Sequence, residues 1–181
     1  KAVSIPNAKF IGFLSRFSLI KLEPQSNVFD LVGLVSGPES QRSIFEQEII
    51  SLAQKHNLRA LIVKGLPQSG DAASTKRKIT LVPHLPDKQL AQALASARYV
   101  ICRSGYSTIM DLITLKRSAI LVPTPGQTEQ EYLANRMSQL KLFSSFKQNS
   151  IKRISIDDLE QSCNTMVSQL CSRSSMDILL M

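Results

Sequence analysis

The sequence predicts an α/β fold, a doubly wound parallel sheet with helices on both faces, and three observations carry that expectation. Short apolar runs of strand length alternate with segments whose apolar residues recur every three or four positions. Most of these runs stop at Ser, Gly or Pro. The composition is that of an ordinary globular chain, 43% apolar, 20% charged and 6% aromatic, with a mean hydropathy of -0.01. At 181 residues the chain is long enough for one sizeable domain with its own core.

The first strand is VFDLVGLV (28–35), which ends at Ser36, Gly37 and Pro38. From 39 to about 56, Ile44, Phe45, Ile49, Ile50, Leu52 and Ala53 fall on one helical face. ALIVKG (60–65) is the next strand, LPQSGDAAS (66–74) is turn chemistry, and KITLV (78–82) is a strand ended by Pro83. Asp87 is placed as the N-cap of a helix through Ala97, and YVICR (99–103) follows as a buried strand. Ser104-Gly105 then turns the chain into a helix through Lys116. SAILVP (118–123) repeats the strand pattern, 127–142 reads as helix, and a last amphipathic helix over 156–170 begins at Asp157 or Asp158.

Several function classes are excluded or disfavoured. No apolar run approaches the roughly 18 residues of a membrane span. The chain opens on Lys1 without a charged-then-apolar leader, so no signal peptide is expected and a truncated chain is. Cys102, Cys163 and Cys171 lack metal-site spacing, which favours a reduced cytoplasmic protein without a metal. Cys163 and Cys171, on one predicted helix, would lie roughly 12 Å apart in rise and stay unbonded. The 22 Lys and Arg against 14 Asp and Glu leave a net charge of +8, which suits nucleic acid, an anionic membrane or a phosphorylated small molecule. Lys76, Arg77 and Lys78 form one basic cluster, equally readable as a solvated surface. Neither G-x-G-x-x-G nor a Walker loop occurs.

Ligands of such sheets bind beyond the carboxyl ends of the strands, which directs attention to the loops at Ser36, Pro83, Ser104 and Pro123. Arg103-Ser104-Gly105-Tyr106-Ser107-Thr108 brings amides, hydroxyls and a helix dipole to one turn, where an anion can lie. Asp111, in the first turns beyond, can accept hydrogen bonds from a ribose diol; as plain structure, Ser104 would be a cap and Asp111 a favourable dipole charge. Pro123 to Tyr132 is a Pro/Gly loop entering a helix rich in acids and amides, among them Gln127, Gln130 and Glu131. These suit hexose hydroxyls, although helix-start acids are also ordinary. His84, between Pro83 and Leu85, reads as a loop residue or base-edge contact rather than a catalyst.

Residues 101–135, ICRSGYSTIMDLITLKRSAILVPTPGQTEQEYLAN, resemble the signature of family 28 glycosyltransferases, and a weaker likeness runs from IGFLSR (11–16) to Asn135. The resemblance implies the Rossmann-like C-terminal half of a two-domain glycosyltransferase of the B-type fold. On that reading 1–181 is a nucleotide-sugar donor-binding domain, with 1–20 leading in from an N-terminal domain and 173–181 forming a tail. The implied reaction is inverting and metal-independent, needs no cofactor, involves no nucleic acid, and moves a hexose from a UDP-sugar to an acceptor hydroxyl. The acceptor site and general base belong to the missing N-terminal half, so the fragment alone is expected to be inactive. A lipid acceptor at the inner face of the plasma membrane is the implied partner.

By matched position, Arg16 closes a G-x-x-x-R segment from Gly12 and contacts the diphosphate, the backbone of Leu85 holds uracil, and Ser104, Gly105 and Thr108 bind phosphate. Asp111 takes the ribose, while Gln130 and Glu131 read the hexose. The chain also departs from the family pattern: Val35-Ser36-Gly37-Pro38-Glu39 replaces Gly-Gly-Ser-x-Gly, Tyr106 a small residue, Asp111 a Glu and Glu131 a Gln. Two other readings use the same architecture, a nucleotide-sugar epimerase and a stand-alone, non-catalytic nucleotide-sugar-binding subunit.

Overall fold

The computed structural model describes residues 14–23, 28–67 and 72–164. Seven strands form one sheet: β1 Leu31–Leu34, β2 Ala60–Val63, β3 Ser74–Lys76, β4 Ile79–Val82, β5 Tyr99–Cys102, β6 Ile120–Leu121 and β7 Ser144–Ser145. Their spatial order is β3-β4-β2-β1-β5-β6-β7. All neighbours are parallel except β3 and β4. The helices are α1 Gln41–Lys55, α2 Asp87–Ser96, α3 Tyr106–Thr114, α4 Thr128–Gln139 and α5 Ile156–Asn164, with a 3-10 helix over Gln148–Arg153.

Strand alternation divides the core into two layers. Val32, Leu61, Val63, Val100 and Cys102 face α2, α3 and α4, whereas Leu31, Ala60, Ile62, Tyr99 and Ile101 face α1, the 3-10 helix and α5. At Gly33 a side chain would bring a Cβ within 3.1 Å of Ile49 Cγ2, so glycine lets α1 lie close against the middle strand. Burial pushes the Cys102 thiol up to about 12, which leaves it an inert core residue.

The five predicted strands and five predicted helices all exist, with shorter bounds for the strands and the first four helices, and the last helix is described only as far as residue 164. The parallel prediction needs one correction at the sheet edge. Ser74–Lys76, read partly as turn, pairs antiparallel with β4 across a two-residue turn at Arg77 and Lys78. Three exposed polar residues give no apolar periodicity, and pairing with β4 alone makes them a strand. β7 and the 3-10 helix, likewise too short for a periodic signal, were not anticipated.

Three helix starts also differ from expectation. Pro86, not Asp87, is the N-cap of α2, and Gly105, not Ser104, is that of α3. α5 starts at Ile156 behind a reciprocal cap: Ser155 Oγ accepts from Asp158 N–H at 3.1 Å, and Asp158 Oδ2 accepts from Ser155 N–H at 2.8 Å. The predicted helix beyond 164, Cys171, the tail and Gly12 lie outside the described residues.

The chain runs from β1 toward β2 and β4, then crosses back to place β5 on the other side of β1. The switch point therefore falls between β1 and β5, and the crevice lies between the loops that leave them, 35–40 and 103–105.

Candidate functional site

At the carboxyl end of β5 the chain turns at Ser104-Gly105 and starts α3 without a side-chain cap. The first intrahelical bond in this region runs from Ile109 N–H to Gly105 O at 3.1 Å, leaving the amides of Tyr106, Ser107 and Thr108 at an open helix terminus. A Cβ built on Gly105 meets nothing within 4 Å, so there is free space beside the turn. Orphan N–H groups and a helix dipole facing open space are chemically suited to hold an anion. Tyr106 and Ser107 are exposed and Thr108 is half-buried around it.

Asp111, one turn further, is 4% exposed and both of its oxygens are occupied. Ser15 Oγ donates to Oδ1 at 2.7 Å and Arg16 Nε to Oδ2 at 3.0 Å. Arg16 also donates from Nη1 to Asp87 Oδ1 at 3.0 Å and lies 4.9 Å over the Phe17 ring. The two residues assigned by resemblance to the diphosphate and the ribose thus meet each other. Ser15 and Asp87 join them from 96 and 24 residues away from Asp111, so no local pattern announces the cluster.

The loop after β6 is held from below by the residues assigned to the hexose. Gln130 Oε1 accepts from Thr124 N–H at 2.9 Å, Gln130 Nε2 donates to Gln127 Oε1, and Glu131 Oε1 accepts from Gly126 N–H at 3.0 Å. Ser104 Oγ donates to Gln130 O at 2.8 Å, so its hydroxyl joins the α3 turn to α4. Thr124 is 2% exposed and its hydroxyl has no partner among the described residues. It lies 3.6 Å from where a Gly37 Cβ would stand, which brings the first loop and the proline loop together.

Arg103 is turned away from the open turn, although its neighbours in sequence line it. It is 1% exposed, stacks 4.0 Å over the Phe45 ring, and donates to Gln41 O at 2.9 Å and to Gln148 Oε1 at 2.6 Å. Nη1 reaches the carbonyls of Val122 and Pro123, each at 3.3 Å. Burial pushes the guanidinium down to about 10, so it remains charged at neutral pH. It acts as an internal bracket that fixes the proline loop to the turn. A strand-end arginine gives no sequence signal of which way it points.

The remaining assigned residues sit on the same rim. Ser36 and Gly37 are exposed. Glu39 is bound by Arg42 and Ser43, and hydrogen bonding from Arg42 first holds its carboxyl below the usual range, which compensates its charge near the first loop. His84 is exposed and Leu85 is half-buried against the α2 and α3 core. Among the described residues no three His, Cys, Asp or Glu side chains converge as a metal site would require.

Over 48 residues the chain is 48% identical to the UDP-N-acetylglucosamine--N-acetylmuramyl-(pentapeptide) pyrophosphoryl-undecaprenol N-acetylglucosamine transferase of Methylorubrum extorquens (strain PA1), spanning 26% of the chain and 13% of that protein. It is 39% identical over 82 residues to the same-named transferase of Desulforudis audaxviator (strain MP104C), covering 44% of the chain and 21% of the relative. The chain thus aligns with only a small part of these relatives. The crystal structure of Acinetobacter baumannii MurG superimposes with a TM-score of 0.51 at 21% identity, over 76% of this chain and 41% of that one. That likeness supports an α/β, Rossmann-like fold. The profile of the glycosyltransferase family 28 C-terminal domain matches residues 35–178, most of the chain, and the chain belongs to that family.

Proposed function

We propose that this domain binds the nucleotide diphosphate sugar of a glycosyltransferase, a UDP-sugar, and that the acceptor and the base that activates it are held outside the chain. The observation that carries the reading is the uncapped α3 terminus with Asp111 one turn beyond, at the switch point of the sheet. An anion at the terminus and a diol at the carboxylate are the two ends of a ribose diphosphate. The relatives are named as transferases that take UDP-N-acetylglucosamine as donor and a pyrophosphoryl-undecaprenol lipid as acceptor, which supports this reading.

In the proposed reaction an acceptor hydroxyl attacks the anomeric carbon from the face opposite the leaving group, which inverts the centre. The bond from that carbon to the diphosphate oxygen breaks, and its electron pair leaves with the UDP. The hydroxyl proton passes to a base outside this chain. The amides of Tyr106, Ser107 and Thr108 stabilise the charge that grows on the diphosphate, an electrostatic contribution that requires no metal. Ribose hydroxyls compete with Ser15 and Arg16 for Asp111, and Arg16, once released, is within the same cluster to meet the diphosphate. The +8 charge supports work at the inner face of a membrane, where a lipid acceptor would be presented.

Calorimetric titration with UDP, GDP, dTDP and CDP tests the reading. Selective binding of UDP, weakened in Asp111→Ala, is the expected result. Failure of all four nucleotides to bind would overturn it.

A further inference from the structure

The crossovers that leave β1, β4, β5 and β6 each carry a helix over the sheet, but the described part of the β2 to β4 crossover carries β3 and no helix. The α1-side face of β4 is therefore only partly covered. Between α1 and the β3–β4 hairpin lies a groove of about 430 Å³ with a floor of Ile50, Leu58, Ile79 and Leu81. Its mouth is formed by two adjacent turns, in which Asn57 (φ 53°) and Arg77 (φ 57°) take left-handed backbone and Lys78 Nζ donates to Asn57 O at 3.4 Å.

Lys76, Arg77 and Lys78 stand exposed along that mouth, and none of them forms an ion pair among the described residues. The two described carboxylates on α1 closest in sequence to Ile50 are engaged elsewhere, Glu46 with Lys64 and Glu48 with Lys152, each at 4.0 Å. An aliphatic floor edged by Gln54, Asn57 and Ser74, with three cations at one end that form no ion pair among the described residues, complements an amphiphilic anion. The floor offers no aromatic face on which a base could stack, which disfavours nucleic acid. Pairing of long cationic side chains with a shallow apolar surface is the chemistry of a bilayer interface.

We propose that the groove between α1 and the β3–β4 hairpin is a docking surface for the anionic lipid of a bilayer, with phosphate groups at Lys76, Arg77 and Lys78 and acyl carbon against Ile50 and Leu81. The surface lies on the opposite side of β4 from the α2 layer and does not depend on nucleotide binding, so its test and that of the donor site fail separately.

The test is vesicle flotation of the 181-residue chain with phosphatidylcholine alone and with phosphatidylcholine mixed with phosphatidylglycerol. The chain floats with the anionic vesicles only, and raised salt releases it. The triple variant Lys76→Glu/Arg77→Glu/Lys78→Glu lowers the partition coefficient on the order of a hundredfold, from several-fold per cation. A charge-matched variant, Lys116→Glu/Lys141→Glu/Lys147→Glu, carries the same change of net charge away from the groove and loses less than about tenfold. Ile50→Gln weakens flotation with the anionic vesicles at constant salt. Thermal melts confirm that each variant is folded. Equal binding to neutral vesicles, no binding to either, or equal losses in the two triple variants would overturn the proposal, the last by showing that only net charge matters.

Discussion

Replacing Arg103 by Met tests the bracket beneath the candidate donor site. The change keeps an unbranched side chain over Phe45 but removes every polar contact. Two charge-assisted bonds are lost, to Gln41 O at 2.9 Å and Gln148 Oε1 at 2.6 Å. At about 1.5–3 kcal/mol each they set an upper bound of about 6 kcal/mol. Relief of burying a charge offsets part of this, and loss of the two long 3.3 Å contacts to Val122 O and Pro123 O adds little, leaving a net loss of about 2–4 kcal/mol. With a urea slope of about 2 kcal/mol/M, the unfolding midpoint should fall by about 1–2 M. Arg103→Lys should lose nearly as much, because one ammonium cannot span Gln41, Gln148 and the proline loop. A loss below about 0.5 kcal/mol in both variants would refute the bracket, since that is the range of an uninvolved surface change.

Four further outcomes follow from the same geometry. Asp111→Ala should weaken UDP and UDP-sugar alike by about fivefold to thirtyfold, less than two charged hydrogen bonds would give because the ribose must displace Ser15 and Arg16; calorimetry reads this, and unchanged affinity would reduce Asp111 to an anchor for Arg16. Gln130→Ala should weaken UDP-sugar selectively by about twofold to tenfold, with equal loss for UDP removing the hexose assignment. Gly65→Ala should lower the melting temperature by about 4 °C or more, because Gly65 has φ 66° and its new Cβ would stand 2.6 Å from Val35 O. Asp158→Ala should cost about 0.5–2 kcal/mol at neutral pH through loss of the α5 cap. Hydrogen bonds from the Ser155 backbone, then its hydroxyl, hold the Asp158 carboxyl below its ordinary value. A carboxyl depressed in the folded state stabilises above its unfolded pKa and stops doing so as pH falls through the folded value, so the gap between wild type and variant should close in acid melts.

Alternation of apolar runs with helical periodicity was sufficient to foretell the layered α/β fold, because burial on both faces demands those patterns wherever the chain lies. The Ser104-Gly105 turn and the carboxylate at Asp111 were legible for a similar reason: a strand, a tight turn and a helix start are local events, and their residues are contiguous. What the sequence could not determine is which side chains meet across the sheet. The pairing of Arg16 with Asp111 and Asp87, the inward direction of Arg103, and the use of Gln130 and Glu131 to hold the proline loop all join distant segments. Strand order decides these contacts, and strand order is a property of the whole chain. The β3 edge behaves in the same way, since three polar residues become a strand only because β4 offers unpaired backbone groups beside them.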